Sequence, residues 1–318
     1  MQMDSVQKSF AFLFPGQGSQ SVGMGFELAK KYPIAQQIFD QADEILGIDL
    51  SEIAWNGPEN ALNDTINTQP ALLVHSIACL RVLEEFHPNI KPNFAAGHSM
   101  GELSALVAAE ALKFPDALRL VRSRGSLMKA AGDASPGGMA AILGLNLIDV
   151  EELCSLASNQ SEKVQIANDN CPGQVVISGS SVALERALTL ARNAGARKAV
   201  RLAVSIPAHS DLMSSAQDGF NMVVESSPID SPRIPIISNV NAKPMTSVEA
   251  IKADLRAQLN SRVRWTESIR YMIENGINTF IEIGNDSVLT GLLKRIDRTV
   301  IGLALGHPND FAKLEFKT

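Results

Sequence analysis

Cysteine is scarce in this sequence, and the few cysteines lie far apart. The three of them, Cys79, Cys154 and Cys171, are odd in number and do not have the spacing of metal ligands. This usage favours a reducing setting inside the cell and offers no metal site. We therefore predict a cytoplasmic protein without a bound metal.

The sequence also lacks a large excess of charge of one sign and long hydrophobic runs. The chain has 28 basic and 34 acidic residues and a net charge of −6, which argues against nucleic acid as a partner. No basic N-terminal segment leads into a long apolar run, and no apolar stretch approaches the length that spans a membrane. Neither a nucleic-acid partner nor a membrane partner is therefore expected.

The composition is that of a globular protein with a sizeable core, because 45% of the 318 residues are hydrophobic and 19% are charged. Near both ends of the chain, strands alternate with helices, and this order predicts a parallel sheet covered on both faces. Strands are predicted at 10–14, 94–96, 234–238 and 279–283, and helices at 26–46, 70–86, 103–112, 115–130, 248–259 and 287–294.

The middle of the chain has a different pattern, β-α-β-β-α-β, which is the ferredoxin-like order. Its strands are predicted at 139–144, 164–167, 174–179 and 198–204, its helices at 147–157 and 181–194, and a turn at 168–173. The fold class is therefore α/β, with an α/β-hydrolase-like catalytic subdomain (1–134 and 206–318) and an inserted ferredoxin-like small subdomain (135–205). A ligand is expected in the cleft between the two.

Residues Gly97-His98-Ser99-Met100-Gly101 form the pattern G-x-S-x-G between a short apolar strand and a helix rich in Ala and Leu. On a sharp strand-to-helix turn the serine projects its hydroxyl outward, and the flanking glycines allow the close backbone approach. The first N–H groups of the helix and the positive end of its dipole face whatever the serine attacks. Ser99 is therefore predicted to be the nucleophile of an acyl enzyme.

A serine nucleophile needs a base within hydrogen-bond reach, and the sequence has five histidines. His98 adjoins the serine, so its side chain should point away from that of Ser99 while still lining the pocket. His209 is the better base, because it lies where the small subdomain returns to the large one. A loop histidine satisfied by backbone groups is the alternative interpretation. The other three lie on an apolar helical stretch, in a proline-rich loop and in the tail: His75, His87 and His307.

No acidic residue completes a triad with His209. Asp211 is too close in sequence for the usual orienting role. A backbone or amide carbonyl that accepts the Nδ1–H bond would fix the imidazole tautomer equally well. A Ser-His dyad is therefore predicted.

These motifs occur together in one order along almost the whole chain. They are Pro15-Gly16-Gln17-Gly18-Ser19-Gln20, Thr68-Gln69-Pro70-Ala71-Leu72, Gly97-His98-Ser99-Met100-Gly101-Glu102, Asn170-Cys171-Pro172-Gly173-Gln174-Val175-Val176-Ile177-Ser178-Gly179, Pro207-Ala208-His209-Ser210 and Val263-Arg264-Trp265. In this combination the chain resembles the malonyl-CoA:acyl-carrier-protein transacylases of type II fatty acid synthesis. The acyltransferase domains of polyketide synthases share the pattern.

The resemblance implies a two-step transfer. Ser99 attacks the malonyl thioester of malonyl-CoA while His209 takes its proton, and the phosphopantetheine thiol of acyl carrier protein then attacks the malonyl-serine. The family's oxyanion hole corresponds to the backbone N–H groups of Gln17 and Met100. The resemblance implies no cofactor, since the phosphopantetheine belongs to the carrier protein, and a monomeric enzyme is expected.

The malonyl carboxylate needs a counter-charge, which by resemblance is Arg124. A planar guanidinium grips a carboxylate with two parallel bonds and stays charged when desolvated. The alternative is a solvated helix face shared with Arg119 and Arg122. By resemblance, a carbonyl of Gln258 orients His209.

Asn170 matches a family residue that packs near the same histidine. For both Gln258 and Asn170, a structural turn or cap is the alternative. Ala208 precedes His209 where many malonyl-selective members of the family carry Phe or Ser, and its small side chain leaves more room beside the acyl group.

Two other functions share these residues. One is a discrete acyltransferase of a polyketide synthase, and the other is a thioester hydrolase that uses the same dyad. Because carrier proteins are acidic, docking should use a local basic cluster. Candidates are Lys294 with Arg295, and Arg192 with Arg197 and Lys198.

Overall fold

The computed structural model of the protein describes residues 9–204 and 206–314. Their strands are β1 (Phe10–Phe14), β2 (Pro92–Gly97), β3 (Gly137–Leu143), β4 (Val164–Cys171), β5 (Gln174–Ser180), β6 (Lys198–Arg201), β7 (Ile236–Ile237), β8 (Pro244–Met245), β9 (Thr279–Ile283) and β10 (Ile301–Leu305). Their helices are α1 (Phe26–Lys31), α2 (Pro33–Leu46), α3 (Leu50–Asn56), α4 (Glu59–Asn63), α5 (Thr65–Phe86), α6 (Gly101–Ala108), α7 (Phe114–Ala134), α8 (Leu147–Ala157), α9 (Ser181–Asn193), α10 (Ser214–Ser226), α11 (Val248–Gln258), α12 (Trp265–Glu274), α13 (Val288–Ile296) and α14 (Pro308–Phe311).

The larger sheet has six strands in the order β10-β9-β1-β2-β7-β8. The pairs β10–β9, β9–β1, β1–β2 and β2–β7 are parallel, whereas β8 runs antiparallel to β7. The expected α/β architecture is therefore confirmed, but the sheet is mixed rather than purely parallel. The difference comes from a short return strand at one edge.

The strand β1 explains why this sheet is covered on both faces. Its side chains alternate between two cores, because successive residues of a strand point to opposite faces. Phe12 and Phe14 pack into the larger core, and Ala11 and Leu13 pack into the core on the other face. A strand without a polar side chain can only lie in such a doubly covered position.

The smaller sheet is separate and fully antiparallel, with the order β4-β5-β3-β6. The helices α8 and α9 pack on it around a core of their own. The β-α-β-β-α-β element order is confirmed, and the helix at 147–157 has the predicted bounds. The expected subdomain boundary at residue 205 lies outside the described residues, as do residues 1–8 and 315–318 of the expected large subdomain.

The predicted turn at 168–173 is wrong. The strand β4 continues to Cys171 through two bulges, and only Pro172 and Gly173 form the turn. Gly173 has a positive φ of 74°, which its missing side chain permits. The last strand, β6, also ends at Arg201, earlier than predicted.

Two prolines explain the differences in the helices. The predicted helix 26–46 is broken at Tyr32, which is extended because it precedes Pro33. The helix α5 instead begins before Pro70, at Thr65. Pro70 has no N–H for the carbonyl of Ile66, and Arg122 Nη1 donates to that carbonyl at 2.8 Å. A side chain distant in sequence thus replaces the lost helical bond.

Other elements were not predicted at all: α3, α4, α10, α12, α14, β8 and β10. Within the part of the chain that the structure describes, no helix is long and apolar enough to cross a membrane.

The first turn of α6 lies against β1 and β2 with no room for side chains. A Cβ on Gly97 would lie 1.9 Å from the carbonyl carbon of Gly101, and one on Gly101 would lie 2.2 Å from the carbonyl oxygen of Phe14. We therefore expect Gly101→Ala to force the helix from the sheet and to lower the free energy of unfolding by about 3 kcal/mol. Denaturant unfolding measures this loss.

The matched control is Gly291→Ala in α13, where an added Cβ meets nothing within 4 Å. This change should stabilise the protein by roughly 0.5–1 kcal/mol, because alanine is the better helix former. Equal stability of the two variants would contradict the close approach at Gly101.

Candidate active site

Ser99 lies at the turn between β2 and α6 in a strained backbone conformation. Its φ is +53°, in the left-handed region that side chains other than glycine rarely adopt. Its N–H donates to Asn239 Oδ1 at 2.9 Å, which helps to hold this conformation. The strain directs the hydroxyl into a cavity between the two sheets, as expected of a serine on such a turn.

His209 meets this hydroxyl. Its Nε2 lies 2.8 Å from Ser99 Oγ, and its ring is almost wholly buried. Its Nδ1 faces two backbone carbonyls, that of Gln258 at 2.9 Å and that of Ser261 at 3.0 Å. Because a carbonyl only accepts, the proton must lie on Nδ1, and Nε2 is free to accept from the serine.

Asp211 takes no part in this arrangement. Its side chain is 61% exposed and lies 3.6 Å from Lys163 Nζ. The orienting groups of His209 are therefore backbone carbonyls rather than a carboxylate.

The imidazole of His209 is held in its neutral form. Burial and, to a lesser extent, the positive charge of Arg124 lower the pKa of His209 from the ordinary value of 6.5 to about 3. The carbonyls at Nδ1 act in the opposite direction but do not offset the burial. At neutral pH the ring can therefore accept a proton.

Arg124 brings a buried positive charge to the same hydroxyl. Only 1% of it is exposed, and its Nη2 lies 3.2 Å from Ser99 Oγ. The guanidinium also donates to the side-chain oxygens of Gln69 at 2.7 Å and Gln258 at 2.9 Å. Its Nε has no partner among the described residues. Burial lowers the pKa of Arg124 to about 10, so it stays charged at neutral pH.

No described carboxylate forms an ion pair with this guanidinium. Uncharged amides solvate it instead. A buried cation held only by neutral groups is a site for an anion, because an opposite charge would offset its desolvation. The solvated helix face that Arg119 and Arg122 suggested does not include Arg124.

Gln258 has two contacts in the site. Its backbone carbonyl faces His209, while its side chain links Arg124 to the carbonyl of Ser99 at 3.3 Å. The side chain of Asn170 lies 2.8 Å from His98 Nε2. No hydrogen bond joins it to His209 among the described residues, and its packing near His209 stays a prediction. The β4 extension that replaced the predicted turn explains this placement. Asn170 therefore positions the neighbour of the nucleophile.

The cavity in front of Ser99 has a volume of about 100 Å³. Its described lining comprises Gln17, Thr65, His98, Ser99, Met100, Arg124, Met128, Met139, Asn168, Leu202, Val204, Ile206, Ala208 and His209. Within the described residues, the backbone N–H groups of Gln17 and Met100 donate to no other protein group. Such free donors beside a nucleophile suit an anionic oxygen.

Sequence reasoning missed the roles of Gln69 and Asn239. Gln69 lies in the motif Thr68-Gln69-Pro70, but no role had been assigned to it. Asn239 follows the carboxyl end of β7, and the carboxyl ends of parallel strands are where ligand sites form. The position of Asn239 directly after this strand is the feature of the sequence that could have indicated its role. Among the described residues, no group of three His, Cys, Asp or Glu side chains is arranged to hold a metal ion.

Comparison with known proteins fits this geometry. The family model for the acyl transferase domain matches residues 11–302. The chain therefore belongs to the acyl transferase family and is an acyltransferase.

Comparison with individual relatives shows which group within the family the chain is similar to. It is 47% identical to the malonyl CoA-acyl carrier protein transacylase of Bacillus subtilis, over 94% of this chain and 93% of that protein. The structure of the transacylase from Coxiella burnetii is 43% identical, with a TM-score of 0.93 and 96% of each chain covered.

A malonyl-transacylase solved in complex with its type II polyketide synthase acyl carrier protein is 42% identical. It has a TM-score of 0.93, with 96% of this chain and 98% of that one covered. Within the acyl transferases, the chain belongs with the malonyl CoA-acyl carrier protein transacylases, which confirms the resemblance seen in its motifs.

The neutral state of His209 is open to a direct test. We expect its ring signals in histidine NMR to stay those of the Nδ1–H neutral form as the pH falls through 6.5, the ordinary value. The ring stays neutral for two reasons: burial disfavours the charged imidazolium, and protonation would place a second positive charge beside Arg124.

The ring signals of His209 are identified as those that disappear from the spectrum of the His209→Gln variant. Titration of the ring near 6.5 would contradict the burial and the contact with Arg124.

Proposed function

We propose that Ser99 carries a malonyl group from malonyl-CoA to the phosphopantetheine thiol of acyl carrier protein, which supplies fatty acid elongation. One observation supports this most strongly. The hydroxyl of Ser99 contacts both a neutral imidazole and a buried guanidinium that has no carboxylate partner among the described residues. The first suits a general base, and the second suits the free carboxylate of the acyl group.

In the first step, Ser99 Oγ attacks the thioester carbonyl, and its proton passes to His209 Nε2. The carbonyls of Gln258 and Ser261 stabilise the imidazolium that forms, because they accept from Nδ1–H. The C–S bond then breaks, and the proton passes from Nε2 to the sulfur of coenzyme A. The product is malonyl-Ser99 with His209 neutral again.

The tetrahedral intermediate carries a negative oxygen. We assign its binding to the backbone N–H groups of Gln17 and Met100, which line the cavity. Loss of one such donor typically costs about 3 kcal/mol of transition-state stabilisation. The Met100 N–H also lies at the start of α6, where the helix dipole favours negative charge.

Arg124 would hold the malonyl carboxylate during this step. Two guanidinium nitrogens and two carboxylate oxygens form parallel, charge-assisted bonds. The side-chain amides of Gln69 and Gln258 accept hydrogen bonds from the guanidinium and so hold it in position before the anion binds. Ala208 leaves some extra room in the same cavity, so we expect the charge rather than a tight fit to select malonyl groups.

In the second step, the carrier protein's thiol gives its proton to His209, and its sulfur attacks the carbonyl carbon of malonyl-Ser99. The ester C–O bond then breaks, and the proton passes from His209 Nε2 to Ser99 Oγ, which leaves the malonyl thioester of the carrier protein and the free enzyme. Each step uses only side chains and N–H groups already named, so we propose that no metal ion or bound cofactor is needed.

For carrier docking, Lys294 stays a candidate, while Arg295 donates to Gln174 at 2.5 Å. A cytoplasmic location and a monomeric state also stay predictions.

We also propose that the large sheet with its helices is an α/β-hydrolase-like subdomain, and that residues 135–205 form a ferredoxin-like one. The separate core of the small sheet and its β-α-β-β-α-β order support this division. The active site lies where the two meet, since the cavity is lined by Ser99 from one and by Met139 and Asn168 from the other.

The nucleophile can be tested by intact mass after mixing with malonyl-CoA. Wild-type protein should gain one malonyl group, and Ser99→Ala should gain none, because its hydroxyl forms the ester. The matched control is Ser104→Ala, which removes the hydroxyl of a buried serine on α6, the helix that follows Ser99, and should acylate normally.

A malonyl adduct on Ser99→Ala would move the nucleophile elsewhere. Rapid release of free malonate from the wild type, without transfer to added carrier protein, would favour the hydrolase.

The role of Arg124 is tested by comparing acyl groups. Arg124→Ala should lower malonyl transfer by at least roughly 10- to 100-fold, because each charge-assisted bond lost costs about 1.5–3 kcal/mol. Acetyl transfer, which has no carboxylate to bind, should change much less.

The control is Arg122→Ala on the same helix, whose guanidinium contacts Ile66 and Asn67 instead. That variant should keep the preference for malonyl over acetyl. Equal loss of both transfers in Arg124→Ala would make Arg124 structural.

A further inference from the structure

A second buried polar cluster lies behind the nucleophile, and the steps above do not use it. It consists of Glu102 on the first turn of α6, Asp254 on α11, and Asn239 after β7. Glu102 is fully buried, Asp254 is 5% exposed and Asn239 is 3% exposed. Two buried carboxyl groups this close to an active site call for a physical explanation.

Asn239 joins both sides of the strained turn. Its Oδ1 accepts from the N–H of Ser99 at 2.9 Å, and its Nδ2 donates to the carbonyl of Gly97 at 2.8 Å. Rotation of this amide would break both bonds. The orientation of Asn239 therefore determines whether Ser99 can keep its positive φ.

Glu102 fixes that orientation. Its Oε2 accepts from the backbone N–H of Asn239 at 3.1 Å and also from Nδ2 of the same residue. The amide cannot flip, because its oxygen would then face Glu102 Oε2 in place of a donor.

The other oxygens of the two acids point to a shared proton. Glu102 Oε1 and Asp254 Oδ2 are both buried, and neither has a hydrogen-bond donor among the described residues. The two carboxyl groups are neighbours, because Glu102 accepts from the backbone N–H of Asn239 and Asp254 accepts from that of the next residue, Val240. Two charged carboxylates would repel there, whereas one proton between them satisfies both oxygens.

The proton belongs on Glu102. Burial raises the pKa of Glu102 well above its usual 4.5, and the charge of Asp254 raises it further. Burial also raises the pKa of Asp254, but its bond from Glu102 and the hydroxyl of Ser238 act against this. The N–H of Val240 adds a further donor to Asp254 at 3.2 Å.

We propose that Glu102 is a positioning residue in its protonated form, which donates to Asp254, accepts from Asn239 and so holds Ser99 in its strained conformation. The inference rests on the proposed function, in which Ser99 is the nucleophile. Because Glu102 also lies within electrostatic reach of Arg124, its neutral form leaves that cation free for the substrate carboxylate.

The test compares an isosteric variant with an apolar one. In Glu102→Gln, the amide N–H₂ can replace the acid proton toward Asp254, and the amide oxygen can accept from Asn239. We expect single-turnover acylation of Ser99 by malonyl-CoA within about threefold of wild type, since the hydrogen-bond pattern is kept. Glu102→Met should lower kcat about 100-fold with little change in KM, because a small displacement of the nucleophile has that effect.

The matched control is Glu282→Gln, at another fully buried glutamate. Its two oxygens accept from the N–H groups of Leu289 and Thr290 at 2.9 and 2.7 Å, so an amide there must turn a donor toward a donor. This variant should melt at a lower temperature while acylation stays unchanged. Glu102→Gln should show no such loss of melting temperature.

Two results would overturn the proposal: Glu102→Met acylating as fast as wild type, or Glu102→Gln as slow as Glu102→Met. If Glu102→Met fails to fold, Asn239→Ala replaces it in the test. We expect Asn239→Ala to lower kcat, and an unchanged kcat would overturn the proposal. The proton is read independently as the infrared band of a carboxylic acid at neutral pH. Because burial raises the pKa of Glu282 to about 7, the band is compared in Glu282→Gln protein, where Glu282 cannot contribute. The band should be present in Glu282→Gln and lost when Glu102→Gln is added to it, and its absence from Glu282→Gln would refute the assignment.

A wild-type protein that forms no malonyl adduct would refute the proposed function instead, and the infrared result would still decide the protonation of Glu102.

Discussion

The contact between the first turn of α6 and the strands β1 and β2 is the constraint from which the site is built. Gly97 and Gly101 have no side chains, so the helix can start against the sheet. The chain must then reverse within the residues between them, and Ser99 takes the left-handed conformation. Its hydroxyl is thereby aimed into the cavity, and the N–H of Met100 is left free beside it.

His209 shows that the opposite wall is built with a similar backbone strain. It has a φ of +59°, and its ring enters the cavity from the segment that leads out of the smaller sheet. The side chain of Gln165, on β4, donates to its carbonyl at 3.3 Å. The hydrogen bond from Gln165 thus connects the smaller sheet to the residue that contacts Ser99.

Some of this arrangement was readable from the sequence, and the reasons differ by element. The strands at 10–14 and 279–283 were predicted with the correct bounds. The first is a continuous apolar run, which has few alternatives in a protein of this class. The pairing of Ser99 with His209 followed from a motif and from the small number of histidines. The contact of Arg124 with Ser99 Oγ matched a position given by resemblance alone.

The rest depends on contacts between residues distant in sequence. The start of α5 before Pro70 requires Arg122 to satisfy the carbonyl of Ile66, which no local pattern shows. Asn170 contacts His98 from β4, which extends through two bulges where a turn was predicted. Asn239 has no motif of its own, and its role is visible only when Ser99 and Gly97 lie on either side of it.

The distribution of charge explains why the site uses carbonyls where many serine enzymes use a carboxylate. None of the described residues that line the cavity is acidic. A carboxylate beside His209 would also lie near Arg124 and would neutralise it, in competition with the acyl group. Backbone carbonyls fix the tautomer without adding a full charge, and a protonated Glu102 keeps the same neutrality behind the nucleophile.

The substrate would then bring the negative charge that the cavity lacks. Arg124 lowers the pKa of His209, so a carboxylate bound to Arg124 would raise it again. The imidazole would thus become a stronger base when a malonyl group is in place than when the cavity is empty. Selection of the acyl group and activation of Ser99 would then have a common electrostatic origin.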